Sequence, residues 1–243
     1  MPYHHAEPLP ALAQAFAADD AVVVSKGPAG AMVTRLYEMT AERVAAGDDA
    51  IVVVSGDCTT SLATVAGLQR RGLSPGVIWI DAHGDFHTPR TTRSGYLGGM
   101  ALAMLTGRAG ASLANAIGLH AVAESACVLV DARDLDPAER DALDASAVRR
   151  IALDGLATAA LPEAPWYVHL DIDVADPAEL PPLRFPAPGG PSLAAVAAAL
   201  RALAARGAIA AVGLACTLTA KALAEPGALD RIRPLVDATF DPR

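Results

Sequence analysis

Short apolar runs of strand length recur along the chain. Between them lie longer stretches in which apolar residues return every three or four positions. The runs are Ala21–Val24, Ala50–Val54, Val77–Ile80, Cys127–Val130, Trp166–Leu170 and Ile209–Leu214. Each is a continuous block rather than an alternation, as expected for strands buried on both faces. Helical periodicity follows in Ala31–Ala46, where Met32, Leu36, Met39 and Val44 share a face, and in Ser61–Arg71, which Gly72 closes. Met100–Leu105 also reads as helix. Another begins at Pro137 behind an Asp136 N-cap, and a long Ala-rich one runs from a Ser192 cap to about Arg206. Residues 1–20 carry a short helical pattern, and Leu223 to the end reads as loop and helix. Alternating strands and helices predict a mainly parallel sheet with helices on both faces. No linker or repeat divides it, so residues 1–243 read as one domain.

Composition narrows the classes. Of 243 residues, 53% are hydrophobic and only 4% aromatic, so the core must be built from Ala, Val, Leu and Ile. The formal net charge of -8 argues against non-specific nucleic-acid binding, which needs clustered Lys and Arg. The start, M-P-Y-H-H-A-E-P, lacks a signal-peptide pattern, and no apolar run approaches the ~18 residues of a membrane span. Cys58, Cys127 and Cys216 are widely spaced and form no C-x-x-C. They suggest a reducing, cytoplasmic setting rather than a disulfide framework. His4 and His5 read as surface residues.

The chemistry sits at strand ends. The run Val77–Ile80 leads into D-A-H-G-D-F-H, which presents Asp81, His83, Asp85 and His87 at every second position. On an extended strand exit these four would share one side. Asp171-x-Asp173, with Asp176 beyond, follows Trp166–Leu170, and Asp57-Cys58 follows Ala50–Val54. Carboxylates that close repel unless a cation lies between them. Carboxylate with imidazole suits Mn, Fe or Zn. Capping and turn aspartates are the plainer alternative.

Taken together, D-A-H-G-D-F-H-T-P and H-L-D-I-D-V-A-D-P resemble the ureohydrolases: arginase, agmatinase, formiminoglutamase and relatives. S-G-D-C-T-T sits where that family has G-G-D-H-S, and S-G-Y-L-G-G-M-A where arginases have S-G-N-L-H-G. R-D-L-D-P-A-E and P-G-G-P-S extend the likeness over roughly residues 50–220. The resemblance implies a three-layer α/β/α fold and a two-Mn2+ cluster. It implies hydrolysis of a guanidino, formimino or amide-type C–N bond by a metal-activated hydroxide, and assembly into homotrimers or homohexamers. By the same resemblance Cys58, Asp81, His83, Asp85, Asp171 and Asp173 are metal ligands, and Asp85 also accepts a hydrogen bond from the hydroxide. Ser94 and Asp136 would hold the carboxylate and amino group of an amino-acid-like substrate. Asp136 has its helix cap as the alternative.

Three departures qualify that picture. Cys58 replaces a histidine ligand, which favours Zn2+ or Fe2+ over Mn2+ if it ligates, and is otherwise a small buried residue. Gly98 replaces the arginase proton-transfer histidine. His87 would serve either as a proton carrier or as a substrate contact. Finally, V-G-L-A-C-T-L-T-A after the last strand lacks the glutamate that anchors a guanidinium in the family. An arginase proper is therefore not expected. The alternatives are a catalytically inactive relative with a binding or regulatory role, and a zinc deacetylase-like amidohydrolase, which leaves R-D-L-D-P-A-E unexplained.

Overall fold

The computed structural model describes residues 28–240 apart from 224, 226 and 228, together with Leu12, Gln14, Phe16, Asp20 and Val22. The strand expected at 21–24, apart from Val22, most of the helical pattern before it, and His4 and His5 lie outside the described residues. Among the described residues, six strands form one all-parallel sheet: β1 (Ile51–Ser55), β2 (Gly76–Asp81), β3 (Cys127–Asp131), β4 (Arg149–Ile151), β5 (Trp166–Asp171) and β6 (Ile209–Ala215), in the order β1-β6-β5-β2-β3-β4.

β2 and β5 are buried along their whole length because neighbours and helices cover both faces. Side-chain alternation then builds two cores. Val77 and Trp79 join Tyr37, Leu62, Leu68 and Leu129 under α1 (Ala29–Ala46) and α2 (Thr60–Arg70). Ile78 and Ile80 join Val168, Leu170, Leu200 and Leu235 on the opposite face, against α6 (Leu193–Ala204) and α8 (Arg233–Phe240). The helices between are α3 (Ala101–Leu105), α4 (Ala111–Ala116) and α5 (Pro137–Asp144), with α7 (Ala220–Leu223) after β6. α1 and α2 approach closely at Gly67, where a Cβ would lie 2.5 Å from Val44 Cβ.

Two differences from the sequence reading have physical causes. β1 looked as buried as β2, yet among the described residues it is an edge strand, half-buried throughout. β4 was not anticipated, because R-R-I has no apolar run; its pairing with β3 makes it a strand.

The order matters for the site. The chain leaves β1 at one edge, enters the middle at β2, runs outward through β3 and β4, and returns through β5 and β6. Such reversals open a crevice at the carboxyl ends of the strands. Register sets Ile80 opposite Leu170 and Asp171 opposite Ala215, with Ser55 beyond, so the acidic turns after β1, β2 and β5 meet there.

Candidate metal centre

Asp81 is the last residue of β2 and is 1% exposed. Its Oδ1 accepts the backbone N–H of His83 at 2.7 Å, and its Oδ2 accepts Trp79 Nε1–H at 3.3 Å. The first bond folds the chain into a turn as soon as the strand ends. His83 Nδ1 then lies 3.4 Å from Asp81 Oδ1 and 3.1 Å from Asp173 Oδ2. Asp173 Oδ1 accepts the Ala82 N–H at 3.3 Å, which ties the two acidic turns together. Asp171 Oδ1 accepts Asp173 N–H at 3.0 Å and the Thr217 hydroxyl at 3.3 Å, while the Cys58 thiol donates to its Oδ2 at 3.2 Å. Asp85 holds a left-handed backbone (φ 49°), uncommon outside glycine and typical of functional turns.

Two sets of ligating atoms result. Atoms of Cys58, Asp81, Asp85 and His169 lie within 4.8 Å of one another, and so do atoms of Asp81, His83 and Asp173. Asp81 belongs to both. Among the described residues, two buried side-chain polar atoms have no hydrogen-bond partner: Asp85 Oδ2 and His169 Nε2. Both are carried by residues of the first set.

The electrostatics follow from this packing. Burial raises the Asp85 carboxyl, and Asp81 raises it further. Burial, Asp173 and Asp81 raise Asp171; burial and Asp81 raise Asp173, to about 7. Burial, with Asp85 and Asp171 beside it, raises the Cys58 thiol. Burial would hold the His83 imidazolium down, but hydrogen bonds to Asp173 and Asp81 outweigh it and lift it to about 12. Burial lowers His169 to about 4, so its ring is neutral. Four buried carboxyl groups, a thiol and two imidazoles form an acid-rich pocket whose oxygen, nitrogen and sulfur donors fit divalent cations.

The structure brings Cys58, Asp81, His83, Asp85, Asp171 and Asp173 together at the carboxyl edge. His87 departs from expectation. The period-two pattern stops with β2, and the turns at His83 and Asp85 send His87 to a neighbouring cluster. There its Nε2 lies 3.4 Å from Asp136 Oδ2 and 4.0 Å from Glu139 Oε2, with Nδ1 3.2 Å from Thr91 Oγ1. Glu139 is buried and accepts the Phe86 N–H at 2.8 Å, which fixes the loop carrying Asp85 and His87. Asp136 occupies the N-cap position of α5 but makes no side-chain capping bond; its carboxylate turns to His87 instead. Ser94 is exposed, and its hydroxyl accepts the Tyr96 N–H at 3.1 Å in a local turn. Asp57 accepts Thr59 N–H at 2.8 Å and the Tyr96 hydroxyl at 2.5 Å, and so shapes the loop after β1.

The departures have structural counterparts. A Cβ on Gly98 would lie 2.3 Å from Tyr96 Cε1, so the tyrosine ring occupies the space a larger residue would need. Ala215 at the end of β6, and Thr217 and Leu218 after it, are buried and supply no carboxylate. His169 was missed as a site residue. The signal was available: two positions before Asp171 on one strand, it faces the same way.

Fold and cluster together define an α/β domain whose chemistry lies at the carboxyl edge of a parallel sheet, among donors of the kind that hold divalent cations. The chain belongs to the arginase family, whose sequence profile matches residues 3–217. It is 37% identical over 170 residues to an N(omega)-hydroxy-L-arginine amidinohydrolase of Streptomyces lavendulae, covering 68% of this chain and 59% of that protein. It is 35% identical over 161 residues to an arginase of Brucella melitensis, covering 57% of this chain and 51% of that one. The chain thus spans little more than half the length of these curated relatives. The crystal structure of an arginase from Bacillus cereus superposes with a TM-score of 0.75 at 25% identity, covering 86% of this chain and 78% of the other.

Proposed function

We propose that this chain is a metal-dependent hydrolase that cleaves the C–N bond of a guanidino-, formimino- or amide-type small molecule. The carrying observation is the pair of ligating sets that share Asp81, with two buried unpartnered atoms in one of them. A buried carboxylate oxygen and imidazole nitrogen left without partners are costly, and a cation relieves both. Cys58, Asp81, His83, Asp85, Asp171 and Asp173 would hold the cations: Mn2+ by family, or Zn2+ or Fe2+ where the thiolate ligates. Such ions supply Lewis acidity and make water acidic enough to attack at neutral pH.

The chain's own groups do the rest. Asp85 presents a fixed acceptor at the floor of the crevice. His83, 27% exposed, and His87, 12% exposed, stand nearer solvent, with Asp134 at 62% and Asp136 at 46%. His87 either relays a proton or contacts substrate. Asp136 offers a carboxylate to an amino group, which suits an amino-acid-like ligand, with Ser94 on the adjoining loop as the carboxylate contact. The uncharged wall after β6 favours a neutral reacting group over a guanidinium, since a buried cation there would have no partner. Three buried free thiols support a reducing, cytoplasmic setting, and family likeness supports a homotrimer or homohexamer. Among the described residues no helix is long and apolar enough to cross a membrane.

A second reading, a non-catalytic binding protein, draws on Tyr96 filling the place beside Gly98. The test is turnover of arginine, N-hydroxyarginine, agmatine, formiminoglutamate and simple amides by protein reconstituted with Mn2+, Zn2+ or Fe2+, read as urea or ammonia. We expect turnover of at least one non-arginine substrate, lost about 10³-fold or more in Asp85→Asn. Two bound cations without turnover of any substrate would leave the binding reading in place.

A further inference from the structure

We propose that His169 is a ligand of the deeper cation position, where with Cys58, Asp81 and Asp85 it forms a mixed sulfur, nitrogen and oxygen set. This rests on the metal-binding part of the proposed function and concerns a residue outside the expected ligands. The ring is 1% exposed, and its Nε2 has no hydrogen-bond partner. That atom lies 3.9 Å from Asp81 Oδ2, too long for a hydrogen bond but within the span of two ligands on one ion. Asp85, which carries the other unpartnered atom, Oδ2, belongs to the same group of four residues.

The remainder of the ring is held on purpose-built contacts. Trp79 stacks on it at 3.7 Å between centroids, and the same indole donates to Asp81, so one side chain positions two ligands. Nδ1 lies 3.0 Å from Ser61 Oγ, which also accepts the Tyr167 hydroxyl at 2.7 Å. The tautomer that frees Nε2 for a cation carries its proton on Nδ1, and Ser61 Oγ has the second lone pair to receive it. Gly213 makes room for this chain of contacts: a Cβ there would lie 2.0 Å from Tyr167 Oη.

The likeness to ureohydrolases puts a histidine where Cys58 stands. In this chain the imidazole reaches the cation from β5 instead of from the loop after β1, and Cys58 adds a thiolate. A borderline-soft set of this kind selects Zn2+ or Fe2+ over Mn2+.

The experiment measures cation stoichiometry and affinity by plasma mass spectrometry and calorimetry with Zn2+. It compares wild type, His169→Gln, Ser61→Ala and, as a control on the other set, His83→Asn. We expect one cation to be lost, or bound at least tenfold more weakly, in His169→Gln, and an intermediate weakening in Ser61→Ala. X-ray absorption of the zinc-loaded wild type, which needs no variant to fold, should count two imidazoles per two zinc ions and one sulfur near 2.3 Å. Unchanged affinity in a folded His169→Gln, or one imidazole per two zinc ions, overturns the role of His169 while the two-cation reading stands. Wild type that binds no zinc, manganese or iron defeats both.

Discussion

Restoring a histidine at Gly98 should destabilise the protein, and removing the Tyr96 ring should relieve that cost. Gly98 has no left-handed backbone, so any penalty is steric. A Cβ there would meet Tyr96 Cε1 at 2.3 Å, Cζ at 2.6 Å and Oη at 2.8 Å. Ordinary contact begins at 3.4 Å, so the ring must retreat about 1 Å (3.4 less 2.3). It cannot do so freely. Its hydroxyl donates to Asp57 Oδ2 at 2.5 Å, and its face packs on Phe185 at 4.9 Å. Overpacking costs about 1–3 kcal/mol, and loosening a hydrogen bond to a carboxylate adds about 1.5–3 kcal/mol. Part of each is recovered by relaxation, which leaves about 2–4 kcal/mol for Gly98→His. Gly98→Ala should cost nearly as much, because the clash is at Cβ. Tyr96→Asn alone should cost about 1–3 kcal/mol through the lost bond and ring burial. The double variant should then be about 2 kcal/mol more stable than the two single costs added together predict. Thermal unfolding reads this directly, at about 2–4 °C per kcal/mol for a chain of this length. Additive costs, or a Gly98→Ala variant as stable as wild type, would refute the steric coupling.

Three further outcomes are expected. Excess Zn2+ or Mn2+, at about a hundred times its Kd, should stabilise the fold by about 2.7 kcal/mol over chelator-treated protein, and equal midpoints would count against a preformed site. Arg133 donates to the carbonyl oxygens of Asp173 at 3.1 Å, Val174 at 2.9 Å, Ala187 at 2.8 Å and Pro188 at 3.1 Å, so Arg133→Lys keeps the charge, loses the fork and should cost about 1.5–3 kcal/mol by denaturant unfolding. Arg108, together with the Ala147 N–H, holds Glu124 below its ordinary value. A carboxyl whose folded pKa is depressed adds stability above its unfolded pKa and loses it as pH falls through the folded one. Glu124→Gln should therefore cost up to about 1 kcal/mol at pH 7, with the difference vanishing in acid, and a cost that persists at pH 3 would point to packing instead.

Apolar runs made the buried strands readable: Val77–Ile80 and Trp166–Leu170 lie within one residue of β2 and β5 at each end. The same signal overstated β1, since a continuous run cannot tell a central strand from an edge. It missed β4, whose arginines become strand by pairing with β3. At the site, the acidic turns were visible because polar residues there interrupt apolar runs. Extending strand periodicity to His87 failed because the hydrogen bond from His83 N–H to Asp81 and the left-handed Asp85 had already ended the strand. His169 stayed hidden for the opposite reason. It lies inside a strand, where polarity reads as an exception to burial, and its meaning comes from Trp79 and Ser61 on other elements.

The departures from the family pattern bear on whether this site has decayed. Relaxed selection should act first on buried charge, because each unsatisfied carboxylate in a core costs several kcal/mol and replacement by an apolar residue removes that cost. Here Asp81, Asp85, Asp171 and Asp173 all remain, none more than 4% exposed. Two of the three changed positions have a neighbour that fills the place, while the wall after β6 stays uncharged. Glycine at 98 accompanies a tyrosine whose ring fills the space and bonds Asp57. The thiol at 58 accompanies an imidazole at 169, a residue of the same group, whose Nε2 is unpartnered. On the proposed reading, Tyr96 beside Gly98 and His169 beside Cys58 give the pocket a different set of donors, and a cation bound among them would make its acidic floor favourable.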